Sequence, residues 1–272
     1  MAAVRPSLAA GFLVVAYLSG TAVAQDDGEP SLVPHRAAYD LHLDGVADRS
    51  QIIGVGGDMR VLWEASCDGW TVDQRYRLVL SYVDGNEVEL VTSYASWESR
   101  DGRRFSFNSR TALNGVVEEE VRGHAELSDE GGVAHYRLPE ADEQILPAGS
   151  YFPTQHTMEL LIRAEAGDRT FSAPLFDGTR ADGLTEVGAV IGSAVGDAEQ
   201  SPDAPEILAG RPFWPVQLAF FDPAQTDPEP DHEVGFRLYR GGIVDRLVIN
   251  YGDFVLRGRA AVIETLPTPD DC

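Results

Sequence analysis

The sequence predicts a mainly β, single-domain protein of about fourteen antiparallel strands and one central helix. Three observations carry this expectation. Apolar and polar residues alternate with period two, turn-forming pairs of Gly, Asn and Asp punctuate the alternating runs, and a single segment spaces its apolar residues as a helix does. In 71–80, Val72, Tyr76, Leu78 and Leu80 share one parity while Asp73, Arg75 and Arg77 share the other. That pattern gives a strand with one buried and one wet face. Similar alternation, or enrichment in β-branched and aromatic residues, predicts strands over 38–43, 59–65, 88–97, 104–111, 116–127 and 133–138. Asp84-Gly85-Asn86, Asp101-Gly102, Asn114-Gly115 and Gly131-Gly132 supply hairpin chemistry between neighbours, so the first half reads as a β-meander. Gly54-Val55-Gly56-Gly57 superficially resembles a nucleotide loop, but no helix follows, and it reads as a bend or bulge. The helix follows Ser150, with Pro153 near its first position, Met158, Leu161 and Ile162 on one face, and Gly167 as its stop. Strands resume over 169–176, 184–190, 213–221, 233–239, 243–251 and 253–264. The Pro- and Asp-rich stretches 197–205 and 222–231 read as loops within one domain.

The chain has 272 residues, with 44 acidic against 21 basic and a formal charge of −23, so a phosphate backbone would be repelled and nucleic-acid binding is disfavoured. Every basic residue is Arg. Without Lys there is no Schiff-base chemistry, no phosphate-loop lysine and no Ser-Lys dyad. At the start, Arg5, the apolar run 8–18 and Ala22-Val23-Ala24 form the three parts of a secretory signal peptide over 1–24, leaving a mature domain over 25–272. The apolar run is shorter than the roughly 20 residues that span a bilayer, and no later run approaches that length. The mature chain is therefore expected to be exported and not membrane-spanning. Export permits oxidation of Cys67 and Cys272, the two cysteines in the sequence. An intermolecular bond or a reactive thiol pair are the alternatives to an internal bridge; the lack of a CxxC pair and the terminal position of Cys272 favour the bridge.

No catalytic, cofactor-binding or metal residues are predicted. A GxSxG elbow is absent, and His156 is followed by Thr157, Met158 and Glu159 rather than by the HExxH spacing of a zinc helix. His156 reads as a helix-start or packing residue. His35, His42, His124, His135 and His232 show no ligand spacing. The loop containing Asp222, Asp227, Glu229 and Asp231 lacks the ladder of a Ca²⁺-binding loop. Glu118 to Glu120 read as a solvated strand, and Trp63, Trp70, Trp97 and Trp214 as sheet core.

Several longer blocks carry a resemblance. They are Trp63-Glu64-Ala65-Ser66-Cys67-Asp68-Gly69-Trp70, Ser96-Trp97-Glu98-Ser99-Arg100-Asp101-Gly102, Leu146-Pro147-Ala148-Gly149-Ser150-Tyr151-Phe152-Pro153-Thr154-Gln155-His156-Thr157 and Leu175-Phe176-Asp177-Gly178, with Val33-Pro34-His35-Arg36-Ala37-Ala38-Tyr39 near the start. In this order they resemble the EipB-type cell-envelope integrity family over nearly the whole mature chain. The resemblance implies a periplasmic protein of Gram-negative bacteria folded as a β-spiral, a strongly curved antiparallel sheet partly wrapped around one helix. It places one disulfide at Cys67 and Cys272, and it implies a role in envelope integrity under stress, with periplasmic or envelope proteins, such as a tetratricopeptide-repeat protein, as partners. It supplies no catalytic residues. The expected function is a non-enzymatic periplasmic binding or scaffolding protein. The alternatives are a lipid or lipoprotein carrier with a concave apolar cleft, and an envelope hydrolase; a carrier requires a continuous apolar cavity, a hydrolase two carboxylates or a base and nucleophile in one cleft.

Overall fold

The alternation seen in 71–80 continues in space as a single antiparallel ladder. The computed structural model describes residues 31–196, 205–224 and 229–269. Eight strands run consecutively: β1 (His35–Val46), β2 (Ile52–Ala65), β3 (Gly69–Tyr82), β4 (Glu87–Ser99), β5 (Arg104–Leu113), β6 (Val116–Ser128), β7 (Gly131–Leu138) and β8 (Glu143–Leu146). Helix α1 (Pro153–Ala166) follows, then β9 (Thr170–Phe176), β10 (Leu184–Ile191), β11 (Phe213–Phe221), β12 (His232–Tyr239), β13 (Val244–Asn250) and β14 (Phe254–Thr265). All fourteen form one sheet in the order β8 through β1, then β14 down to β9.

This order follows from one long-range pairing. The outbound meander β1 to β8 and the returning meander β9 to β14 are each local, and β14 closes against β1 with His35 opposite Thr265 and Val46 opposite Phe254. The two free edges are thus β8 and β9, adjacent in sequence and separated by α1. Tyr151, just before the helix, bridges to Leu175 in β9, so the sheet curls into a nearly closed barrel with the helix between its edges. The antiparallel strands and single helix are those the alternation predicts, and the curvature is the one the resemblance implies.

Local chemistry explains most boundaries. Asn114 and Gly115 both hold positive φ, 50° and 81°, as a two-residue turn matched to strand twist requires. Gly167 ends α1 in the left-handed region at φ 85°, and its N–H reaches the Ala164 carbonyl. Three expectations need correction. Gly54 to Gly57 do not form a bend between strands but lie inside β2, where the other half of the expectation, a bulge, matches the register shift between Ile52 and Gly54. Glycine is needed at Gly57 because a Cβ there would stand 1.9 Å from the Arg77 carbonyl oxygen across the ladder. Strand β8 carries no predicted counterpart, being only four residues long at an edge. The buried face of α1 is Thr154, His156, Leu160, Leu161 and Ala164, whereas Ile162 is 41% exposed. The signal peptide, residues 197–204 and Cys272 lie outside the described residues.

Inward-facing side chains form three core clusters. One centres on β1 to β3 and β12 to β14, around Tyr39, Leu78, Tyr239 and Leu256; another packs Leu160, Leu161 and Ala164 of α1 against β9 to β12. The third gathers Phe105, Phe107, Phe152 and Phe176 where the two sheet edges approach. The outer face carries ion pairs such as Arg77 with Glu89 at 2.7 Å and Arg257 with Asp44 at 2.9 Å. Such exposed pairs stabilise little, but a lipid-facing strand surface excludes them. Among the described residues, no helix is long and apolar enough to cross a membrane.

Candidate functional site

The sequence blocks of the resemblance meet where α1 joins the sheet. Helix α1 begins after Phe152 with no side-chain cap of its own and no acidic residue in its first turn. Its first free N–H groups are satisfied from another element: Glu98 at the end of β4, 1% exposed, accepts from the backbone N–H of Thr154 at 2.7 Å and of Gln155 at 2.9 Å. Burial pushes the Glu98 carboxyl up to about 7, against the lowering effect of those two bonds. Gln155 in turn donates to the Arg100 carbonyl at 3.1 Å, and Gly102 lies so close to Gln155 that a Cβ would meet its Cγ at 2.4 Å. Phe152 stacks on Phe105 with centroids 4.8 Å apart. Gly178, at φ 63°, touches Phe107, and the Tyr94 hydroxyl donates to the Asp177 carbonyl at 2.8 Å. The three blocks at 96–102, 146–157 and 175–178 are therefore a single clasp holding β4, β5, β9 and the helix together.

Beside this clasp the curled sheet leaves an interior cavity of about 500 Å³, within the size range of small-molecule sites. Helix residues Pro153, Thr154, His156, Thr157 and Leu160 bound one end. Met59, Val61 and Trp63 of β2 and Val234, Phe236 and Leu238 of β12 line the walls, and Phe220 and His232 lie toward the opposite end. The lining is mainly aliphatic and aromatic. His156 is 3% exposed, and its Nε2 is buried without a hydrogen-bond partner. The indole Nε1 of Trp63 is likewise buried and unpartnered. Burial lowers His156 to about 4 and also holds His35 and His232 below their ordinary value, so all three are neutral at pH 7. Asp177 is the one carboxylate among the described lining residues; its Oδ1 accepts from the Thr179 N–H at 2.9 Å and hydroxyl at 2.8 Å. Among the described residues, no arginine lines the cavity.

His156 occupies the helix-start packing position expected of it, and Trp70 and Trp214 are core residues. Trp63 instead faces the cavity, and Trp97 is half-buried beneath Arg104. His124 and His135 stack across β6 and β7, while His35, His156 and His232 border the cavity from β1, α1 and β12. Among the described residues, no group of three His, Cys, Asp or Glu side chains is placed to hold a metal ion. Cys67 lies in the turn between β2 and β3 and is not a free thiol; Cys272, its expected partner, lies outside the described residues. Sequence reasoning reached a concave cleft only through the resemblance and named none of the residues that line it. Its inward parity was visible at Met59, Val61 and Trp63, but alternation reports which face is buried and not whether that face is filled.

A single antiparallel sheet rolled around an interior cavity, with one helix set between its edges, defines a β-barrel-like protein. The chain belongs to the EipB-like family, whose model matches residues 26–267. It is 35% identical over 247 residues to the cell envelope integrity protein EipB of Brucella abortus (strain 2308), covering 87% of this chain and 85% of that protein. Its fold is similar to the crystal structure of a beta-barrel-like protein of a domain of unknown function from Brucella abortus. The TM-score is 0.82 at 31% identity, over 87% of this chain and 99% of that one.

Proposed function

We propose that this protein is a non-enzymatic periplasmic binding protein that supports cell-envelope integrity and resistance to envelope stress, and that its interior cavity is the working site. The envelope role is carried over from the EipB relative, whose name states it. The single observation that supports binding is the cavity, about 500 Å³ of mostly apolar interior lined by the inner face of the curled sheet and by α1. A folded core of this size normally fills such space, because unfilled apolar volume forfeits dispersion contacts. Partners in the reading are envelope proteins, a tetratricopeptide-repeat protein among them. The test is complementation: in cells lacking the chromosomal copy and challenged with detergent, Val61→Trp, which fills the cavity from β2, should fail to restore growth while accumulating at the normal level. Full restoration by this variant rejects the cavity as the working site.

An intramolecular Cys67–Cys272 disulfide belongs to the same reading. It would tie the chain's last residue to the β2–β3 turn and close a loop of about 200 residues, worth up to about 5 kcal/mol through the unfolded state. The oxidised mature protein should run as a monomer with altered mobility on a nonreducing gel, and verified reduction should lower its melting temperature. A disulfide-linked dimer on that gel would contradict the pairing.

A further inference from the structure

We propose that one end of the barrel docks on a phospholipid surface of net-neutral headgroups, through apolar side chains carried at the ends of four neighbouring hairpins. The proposal concerns the outside of the barrel and does not depend on what the cavity holds.

Hairpins meet water at both ends of the sheet, and the two ends differ in chemistry. At one end lie the connections β1–β2, β3–β4, β5–β6 and β13–β14, and most of the large apolar side chains exposed among the described residues are there. Ile53 of β1–β2 and Val116 of β5–β6 are each 63% exposed, Val46 adds to the first of these, Val83 tops β3–β4 and Tyr251 tops β13–β14. At the other end the connections are Ser66-Cys67-Asp68, Arg100-Asp101-Gly102-Arg103, Asp129-Glu130 and Arg240-Gly241-Gly242-Ile243, and the large apolar residue among them, Ile243, is buried. The same sheet supplies hairpins at both ends, so hairpin geometry does not account for the apolar tips. Exposed apolar side chains gathered in one place mark an interaction surface.

Hydrogen bonds hold these tips as one platform. The Ala47 N–H donates to the Asp253 carbonyl at 3.0 Å, joining β1–β2 to β13–β14, and the Val83 N–H donates to the Gln51 carbonyl at 2.9 Å, joining β3–β4 to β1–β2. On β5–β6, Asn114 donates its N–H to the Glu89 carbonyl at 2.8 Å and accepts the Glu89 N–H on its Oδ1 at 2.9 Å. The eight strands concerned are neighbours in the sheet, β6 through β1, then β14 and β13, and spacings of about 4.8 Å spread the tips along an arc of roughly 30 Å. Docking therefore needs little further ordering.

Spacing and charge choose the occupant. Asp48, Asp84, Asn114 and Asp253 stand between the apolar side chains, so the tips are separate points, whereas a stable protein partner covers a contiguous face of about 800 Å². A fluid lipid layer meets separate points at once and needs no register with them. Each aliphatic tip can enter the acyl boundary while the neighbouring carboxylate stays among headgroups. Tyr251, its hydroxyl 3.3 Å from that of Tyr76, adds the amphipathic ring that suits this boundary. These connections hold Asp48, Asp84 and Asp253 against one basic residue, Arg49, in a chain of formal charge −23. Anionic headgroups and a second copy of the chain would both repel them, and zwitterionic headgroups would not.

Flotation of the mature protein, 25–272, with vesicles tests the proposal. The protein should rise with phosphatidylcholine vesicles and bind less to vesicles in which about a third of the lipid is phosphatidylglycerol. Binding should persist in high salt, which screens charge and leaves apolar burial intact. Ile53→Ser combined with Val83→Ser should weaken the partition at least about tenfold, as two lost aliphatic contacts require. Val116→Ser combined with Val117→Ser should do the same from a separate hairpin, so a folding failure in one pair leaves the other to decide. Ile145→Ser, 71% exposed on β8 and outside the arc, should bind as the parent does. Val83→Trp should bind at least as well as the parent, its emission quenched by phosphatidylcholine brominated on the acyl chains. No flotation of the parent, tighter binding to the anionic vesicles, release by salt, or full binding by the serine pairs overturns the proposal. A parent that sediments as a dimer, made monomeric by those pairs, assigns the surface to a second copy and overturns it as well.

Discussion

Glu98→Ala should lower the unfolding free energy by about 2–4 kcal/mol, because it strands the buried N–H of Thr154 and the partly buried N–H of Gln155. Helix α1 has no alternative cap: Phe152 precedes it without a side-chain bond, and its first turn is free of acidic residues. The same carboxyl sets a pH dependence. Its value rises from an ordinary 4.5 to about 7 in the fold, because burial disfavours the charged form. A group raised on folding contributes stability that is fully present below the unfolded value and is lost as pH climbs through the folded one. Glu98 therefore makes the protein less stable as pH rises from about 4.5 to about 7. His156 works the other way, since its value falls to about 4 and its contribution is lost as pH drops below 6.5. The two windows overlap and offset each other in the parent protein. Glu98→Gln separates them: the parent should gain stability relative to this variant as pH is lowered from 7 to 5, by about 2–3 kcal/mol for a shift of this size. Chemical denaturation at several pH values measures the difference, and a difference that stays constant across that range would show that the buried carboxyl does not titrate as described.

Phe152→Ala should cost about 3–5 kcal/mol, the range for removing a fully buried aromatic ring. Phe152 is 0% exposed, stacks on Phe105 of β5 at 4.8 Å and meets Phe176 of β9 edge-on at 6.4 Å. Its position makes the loss more than a cavity, because β5 belongs to the outbound meander and β9 to the returning one, and these rings join the two near the sheet's free edges. Hydrogen exchange should therefore accelerate in α1 and β9 more than in β2 and β3. Ile162→Ala on the exposed side of the same helix is the control and should change stability by no more than about 0.5 kcal/mol. Equal costs for the two variants, or uniform exchange throughout the sheet, would remove the clasp from the account of how the barrel stays closed.

The helix shows how far pattern reaches. Pro153 and Gly167 mark its two ends in the sequence, and the ends fall there, because proline suits a first turn and glycine a left-handed stop wherever they occur. The face it buries was misread. Met158, Leu161 and Ile162 have helical spacing, yet His156, Leu160, Leu161 and Ala164 are buried, since the choice depends on where β9 to β12 lie. Glu98 offered no signal as a cap, standing more than fifty residues before the helix it serves.

Strand identity, turn positions and the consecutive order of hairpins were legible because they depend on period-two alternation and on backbone angles that only a few residues adopt easily. The closure of β14 on β1, the helix between the two free edges, and the cavity with His156 and Trp63 turned into it came from contacts between residues far apart in the chain. Those contacts follow from how far each successive strand rotates against the last, and small local twists add up over fourteen strands into a curvature that no short window of sequence contains.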